Sequence, residues 1–173
     1  MNHPEDWQRT ATAYHEAGHG VVRCVLGFGP KSAKIVPKYE VNGIAQYANP
    51  LRGIKLGTDG SSGRALLRLM KAIQISYAGP LAQRKYCEYS WQQFHGIWDF
   101  EKIDELSLRA CGSSAQVGAS KHWLEIVAHE MIESHWSSIE HVAKLLLGRL
   151  SGTGILAVLR LSGHSRGDVF GRK

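Results

Sequence analysis

The chain has 173 residues, the size of one domain, and can bury a core without disulfide or metal staples. Hydrophobic residues make up 43% and charged residues 21%, ordinary for a folded protein, and no run of about 18 apolar residues is present to span a bilayer. The formal net charge is +6, but the Lys and Arg are scattered without a run of five or six, so a solvated surface is expected and no nucleic-acid partner.

Cys24, Cys87 and Cys111 are odd in number, widely spaced and form no C-x-x-C pair. With no secretory signal ahead of them, they point to a reducing, cytoplasmic setting. The G-x-x-x-x-G-K-[ST] phosphate loop is absent: the nearest stretch, Gly57 to Arg64, lacks both the spacing and the lysine. The chain is therefore expected to carry no nucleotide engine.

The first predicted helix runs from about Asp6, a cap candidate, to Leu26, with Ala11, Tyr14, Gly18, Val21, Val22 and Val25 at three- and four-residue intervals. Gly27-Phe28-Gly29-Pro30 ends it. Within it lies His15-Glu16-Ala17-Gly18-His19, an H-E-x-x-H pattern. Helical residues four apart return to within about 40° of one another, so His15 and His19 share a face on which two imidazoles can grip one zinc ion. Glu16 lies beside them as a general base for a water acidified by the metal. Such a pattern also arises by chance on amphipathic helices, so the rest of the chain decides. Gly18 costs about 1 kcal/mol relative to Ala inside a helix; the expected compensation is close approach of another backbone to the metal face.

Two short strands are predicted next, at 33–37 and 43–48, making a small hairpin or irregular sheet. The second is either a core strand or an edge against which an extended substrate pairs. Residues 49–63 read as a flexible or substrate-facing loop. A second helix from Ser61 or Ser62 to Ala78 is apolar nearly all round, which places it centrally in the core. Gly79-Pro80 interrupts it, Leu81 to Tyr86 add a turn or two, and 87–98 read as loop. Asp99 opens a third helix, Phe100 to Ala110. A Gly/Ser break over Cys111 to Gly118 precedes a long helical region from Ala119 to Leu150, kinked near Ser137-Ser138. Thr153 caps a last short helix through Leu161, and 162–173 read as a disordered tail.

A catalytic zinc takes three protein ligands and keeps one position open. The longer H-E-x-x-H-x-x-G-x-x-H form is excluded, because the required positions hold Val22 and Val25. Glu40 falls in a loop between strands and is a weak candidate. Asp99, at a predicted helix start, is the better one, with a plain helix N-cap as its alternative role.

Tyr14-His15-Glu16-Ala17-Gly18-His19 resembles the active-site helix of the FtsH-type zinc peptidase domain, the proteolytic part of membrane-bound AAA proteases. In that family an Asp before a hydrophobic residue, at the head of a later helix, completes the zinc site, and Trp98-Asp99-Phe100-Glu101 occupies the matching place. Lys34-Ile35-Val36-Pro37, Gly43-Ile44-Ala45, Ala78-Gly79 with Leu81-Ala82, and the segment from Ile132 to Leu147 follow the family's order, so the resemblance covers roughly residues 10–160. It departs at Gln83 and Arg84, where the family carries acidic residues, and in lacking the ATPase module and membrane anchor.

The resemblance implies a mainly α, helical zincin-like peptidase domain over 1–161 with a small β-hairpin or sheet after the zinc helix. Its metal ligands would be His15, His19 and Asp99, its base Glu16, its cofactor Zn2+, and its partner a flexible or unfolded polypeptide cleaved without ATP. A non-catalytic zinc- or peptide-binding module of the same fold is the alternative. Homo-oligomerisation and a separate unfoldase partner stay open. His95 reads as surface or substrate-facing, Trp98 as a core aromatic or one packed over the site, and Cys24 as a small buried residue. His122, His129, His135 and His141 read as surface or satisfied core histidines, since the fifth position of the motif begun by His129 is Glu133.

Overall fold

The computed structural model describes residues 4–34, 44–47, 49–54, 62–88 and 96–148. Among these the protein is mainly α-helical: α1 (Pro4–Val25), β1 (Pro30–Lys34), β2 (Ile44–Tyr47), α2 (Gly63–Tyr86), α3 (Ile97–Ala110), α4 (Ser114–Ser134) and α5 (Trp136–Leu147). None of the described helices is long and apolar enough to cross a membrane.

Helix α1 starts two residues before Asp6, with proline at its first position, where a missing N–H leaves no helix bond unmade. Its end is a Schellman turn. Gly27 adopts φ 88°, its N–H reaches the Cys24 carbonyl at 3.0 Å, and the Phe28 N–H reaches the Arg23 carbonyl at 2.8 Å. Strands β1 and β2 then pair antiparallel in the register Ser32↔Gln46, Ala33↔Ala45 and Lys34↔Ile44. The first strand begins three residues earlier than expected, with Pro30 at its start, where proline is tolerated. Residues 35–43 lie outside the described segments, as does Glu40. The expected loop at 49–63 is held down at its start: the Arg68 guanidinium donates to the carbonyls of Pro50 at 3.4 Å and Arg52 at 3.0 Å.

Ser62 caps α2 by accepting the Ala65 N–H at 3.1 Å. The helix does not stop at Gly79-Pro80 but continues to Tyr86. An interior proline forfeits a backbone bond at a cost of about 3 kcal/mol. Here Ala78, Gly79, Pro80, Ala82 and Gln83 are all buried, so packing on several sides holds the helix through it. Centrality is as expected, yet Leu66 and Leu67 in the first turns are exposed, so the all-round burial begins only at Ala72.

Helix α2 belongs to both cores. Its Ile75, Ala78 and Ala82 pack with Ala17, Val21 and Val22 of α1, Ile132 of α4, and Ile139 and Val142 of α5. Its Leu69, Ile73 and Tyr77 pack with Ile103 and Leu106 of α3 and Leu124 and Ala128 of α4. Truncating fully buried Ile103 or Leu124 to Ala would cost about 2–5 kcal/mol.

The expected long helical region from Ala119 is, as far as Leu147, two helices that break at His135, two residues before the kink expected near Ser137-Ser138. The His135 backbone leaves helical geometry at φ −117° and ψ 19°, and the Met131 carbonyl accepts from both its N–H and its Nδ1. Helix α4 begins earlier than expected because the Ser113 hydroxyl accepts the Gln116 N–H at 3.3 Å, which shortens the Gly/Ser break. The last predicted helix and the tail fall outside the described residues.

Candidate metal centre

The four-residue spacing of His15 and His19 on α1 sets their rings edge to face, with centroids 4.8 Å apart and Nε2 atoms 3.1 Å apart. Asp99 enters from α3. Its Oδ2 lies 3.1 Å from His15 Nε2 and its Oδ1 lies 3.3 Å from His19 Nε2. Among the described residues this is the one group of three or more His, Cys, Asp or Glu whose ligand atoms converge, all within 4.8 Å of one another.

Asp99 does not open α3. The helix starts at Ile97 behind a Gly96 cap, and Asp99 sits in its first turn with its carboxylate turned to the two imidazoles. The capping role is thereby corrected. The N-terminal turn still favours the negative charge through the helix dipole.

Helix α2 supplies the backing. The Ile75 carbonyl accepts from His19 Nδ1 at 2.7 Å, and Gln83 Oε1 accepts from His15 Nδ1 at 3.1 Å. With both Nδ1 atoms donating outward, both Nε2 lone pairs turn inward toward Asp99. Three acceptors at 3.1–3.3 Å repel unless a cation lies among them. A proton is one solution. Burial pushes the His19 pKa down, but Asp99 and the charge of Glu16 outweigh it and raise it. Burial would likewise raise the Asp99 carboxyl, yet the hydrogen bonds of His15 and His19 override it and hold it well below the usual carboxylate range. A divalent ion is the other solution, and two imidazoles with one carboxylate are a donor set that suits zinc.

Room for the rings comes from a glycine. A Cβ on Gly79 would lie 2.7 Å from His15 Nε2 and closer still to His19 Nε2, so any side chain there would fill the space between the imidazoles. Gly18 does the reciprocal job on α1, where a Cβ would meet the Ala78 carbonyl oxygen at 2.5 Å and the Ala82 Cβ at 2.6 Å. The close backbone approach expected at Gly18 is thus provided by α2.

Glu16 is exposed, next to the two histidines, and near enough for its charge to raise His19. The side chains of His15, His19 and Asp99 are 12%, 16% and 20% accessible, so the centre is mostly buried yet reached by solvent. Trp98 is not a core aromatic; it is 80% exposed. Cys24 is buried, and burial pushes its thiol up to about 11. His95 lies outside the described residues. His129 is exposed on α4, 3.8 Å from Glu133, the residue that replaces a second histidine. A cleft of about 550 Å³ beside it, walled by Arg84, Lys85, His122 and Glu125, contains none of the three converging residues.

Sequence reasoning missed Gln83, Gly79 and Ile75 as parts of the centre. They recur every four residues on α2, one stripe that faces α1, and that spacing was the available signal. No protein-family model matches the chain, and no curated protein matches it.

Proposed function

We propose that this protein is a zinc-dependent endopeptidase that cleaves flexible or unfolded polypeptides without ATP, in the manner of an FtsH-type peptidase domain. The observation that carries the reading is the convergence of His15 Nε2, His19 Nε2 and Asp99, their outward nitrogens already committed to Gln83 and Ile75, beside an exposed Glu16. His15, His19 and Asp99 would hold the ion. Zinc bound there supplies Lewis acidity, lowering the pKa of water and polarising a carbonyl oxygen. Glu16 takes a proton from the attacking water on its carboxylate and returns it to the nitrogen of the leaving amine. Gln83 and Ile75 fix the tautomers of the imidazoles, so neither ring has to reorient during turnover. Asp99 offsets the positive charge of the ion. The reaction consumes water alone, and no nucleotide enters it.

The alternative, a zinc- or peptide-binding module without catalysis, gives an exposed carboxylate next to the ligands no chemical task. Incubation of the zinc-loaded protein with an unfolded protein tests the choice. Fragments should appear, vanish with a chelator, and be absent with Glu16→Gln although that variant keeps its zinc. Fragments from purified Glu16→Gln at the wild-type rate would refute the mechanism.

A further inference from the structure

Trp98 is the most exposed large apolar side chain among the described residues, at 80%. Tryptophan is among the more buried residue types on average, and an indole left in water forgoes the burial of a large apolar area. Its exposure is not the result of a loose first turn. On one side Asp99 is fixed by His15 and His19; beyond it Phe100 packs edge to face on Tyr77 at 6.5 Å in the second core. With the turn anchored at these two residues, the exposed indole sits one helical position before Asp99, about 100° around the α3 axis from it.

We propose that Trp98 is a specificity-determining residue that takes an apolar side chain, aromatic above all, of the polypeptide whose scissile bond lies at the His15, His19 and Asp99 centre. This rests on the hydrolytic reading above. An extended chain advances about 3.3 Å per residue, so an indole one residue from a metal-ligand position reaches a side chain within about two residues of that bond. Indole and phenyl faces stack or meet edge to face, which selects aromatic side chains over small polar ones.

The test uses two dye-labelled peptides, identical except for Phe or Ser beside the central bond. Cleavage is measured with zinc-loaded wild type, Trp98→Ala and Trp98→Phe, and binding by anisotropy with Glu16→Gln and Glu16→Gln/Trp98→Ala. Wild type should prefer the Phe peptide. Trp98→Ala should raise its KM about tenfold with little change in kcat, bring the Phe-to-Ser ratio toward one and leave bound zinc unchanged, and Trp98→Phe should restore most of the preference. Binding of the Phe peptide should weaken about tenfold in the double variant. An unchanged Phe-to-Ser ratio in Trp98→Ala overturns the assignment. If wild type cleaves neither peptide, the hydrolytic reading has failed and binding decides: a Phe-selective loss supports the role of Trp98, and equal affinities overturn it.

Discussion

The side-chain oxygen of Gln83 lies 3.1 Å from Nδ1 of His15, across the interface between α1 and α2, and Gln83 is almost fully buried. An amide at this position orients the imidazole without adding charge. Outer-shell partners of this kind are worth about 10–100-fold in metal affinity. Gln83→Ala should therefore weaken zinc binding by a factor in that range, and Gln83→Glu should tighten it, because a carboxylate makes the imidazole more basic. Competition against a chromophoric chelator measures both.

Gly79→Ala should lose most zinc binding, although Ala is favoured over Gly in a helix by about 1 kcal/mol. The new methyl would lie against His15 and His19, and overpacking of this kind costs about 1–3 kcal/mol. Gly118→Ala on α4 is the control. A Cβ there meets nothing within 4 Å, so the substitution should stabilise by up to about 1 kcal/mol and leave zinc stoichiometry intact. Thermal unfolding with elemental analysis separates the two outcomes.

Zinc and protons compete for the same imidazole nitrogens. Because Asp99 and Glu16 overcome burial and raise the pKa of His19, a proton should begin to displace zinc held as proposed while the falling pH is still above the usual histidine value near 6.5. Affinity measured by titration should decline from neutral pH downward. At zinc concentrations about 100 times Kd, the metal should add about 2.7 kcal/mol of stability, which chelation removes and Asp99→Ala largely abolishes.

Cys24 should be unreactive toward a thiol reagent at pH 8 in the folded protein, since burial pushes its thiol up to about 11. Cys87 and Cys111 are half-buried and should account for all native labelling. Unfolding in guanidinium should expose the third thiol. Mass-spectrometric mapping of the modified cysteine checks the assignment.

The parts legible in the sequence are those fixed by residue type at short spacing. His15 and His19 share a face because the helical period puts them there, and Asp99 was singled out as an acid near a helix start. Gly79-Pro80 was misread because local propensity favours a break, whereas the helix is held by burial on several sides that only tertiary packing supplies. The break at His135 falls two residues before the kink expected near Ser137-Ser138, for a related reason. Apolar periodicity runs on either side of it, from Leu124, Ala128 and Ile132 to Ile139 and Val142, and gives no sign that the first two residues serve one core and the last three another. Gln83 stood out in the sequence only as a departure from the resembled family's acidic pattern; its contact with His15 depends on how α1 crosses α2.

Anomalous scattering at the zinc edge from crystals of the zinc-loaded protein tests the metal centre most directly. A single strong peak within coordinating distance of His15 Nε2, His19 Nε2 and the Asp99 carboxylate, with one position left to solvent, is the expected result. A peak bound by other residues, or none at this place in a zinc-saturated crystal, would contradict the assignment and the peptidase reading with it.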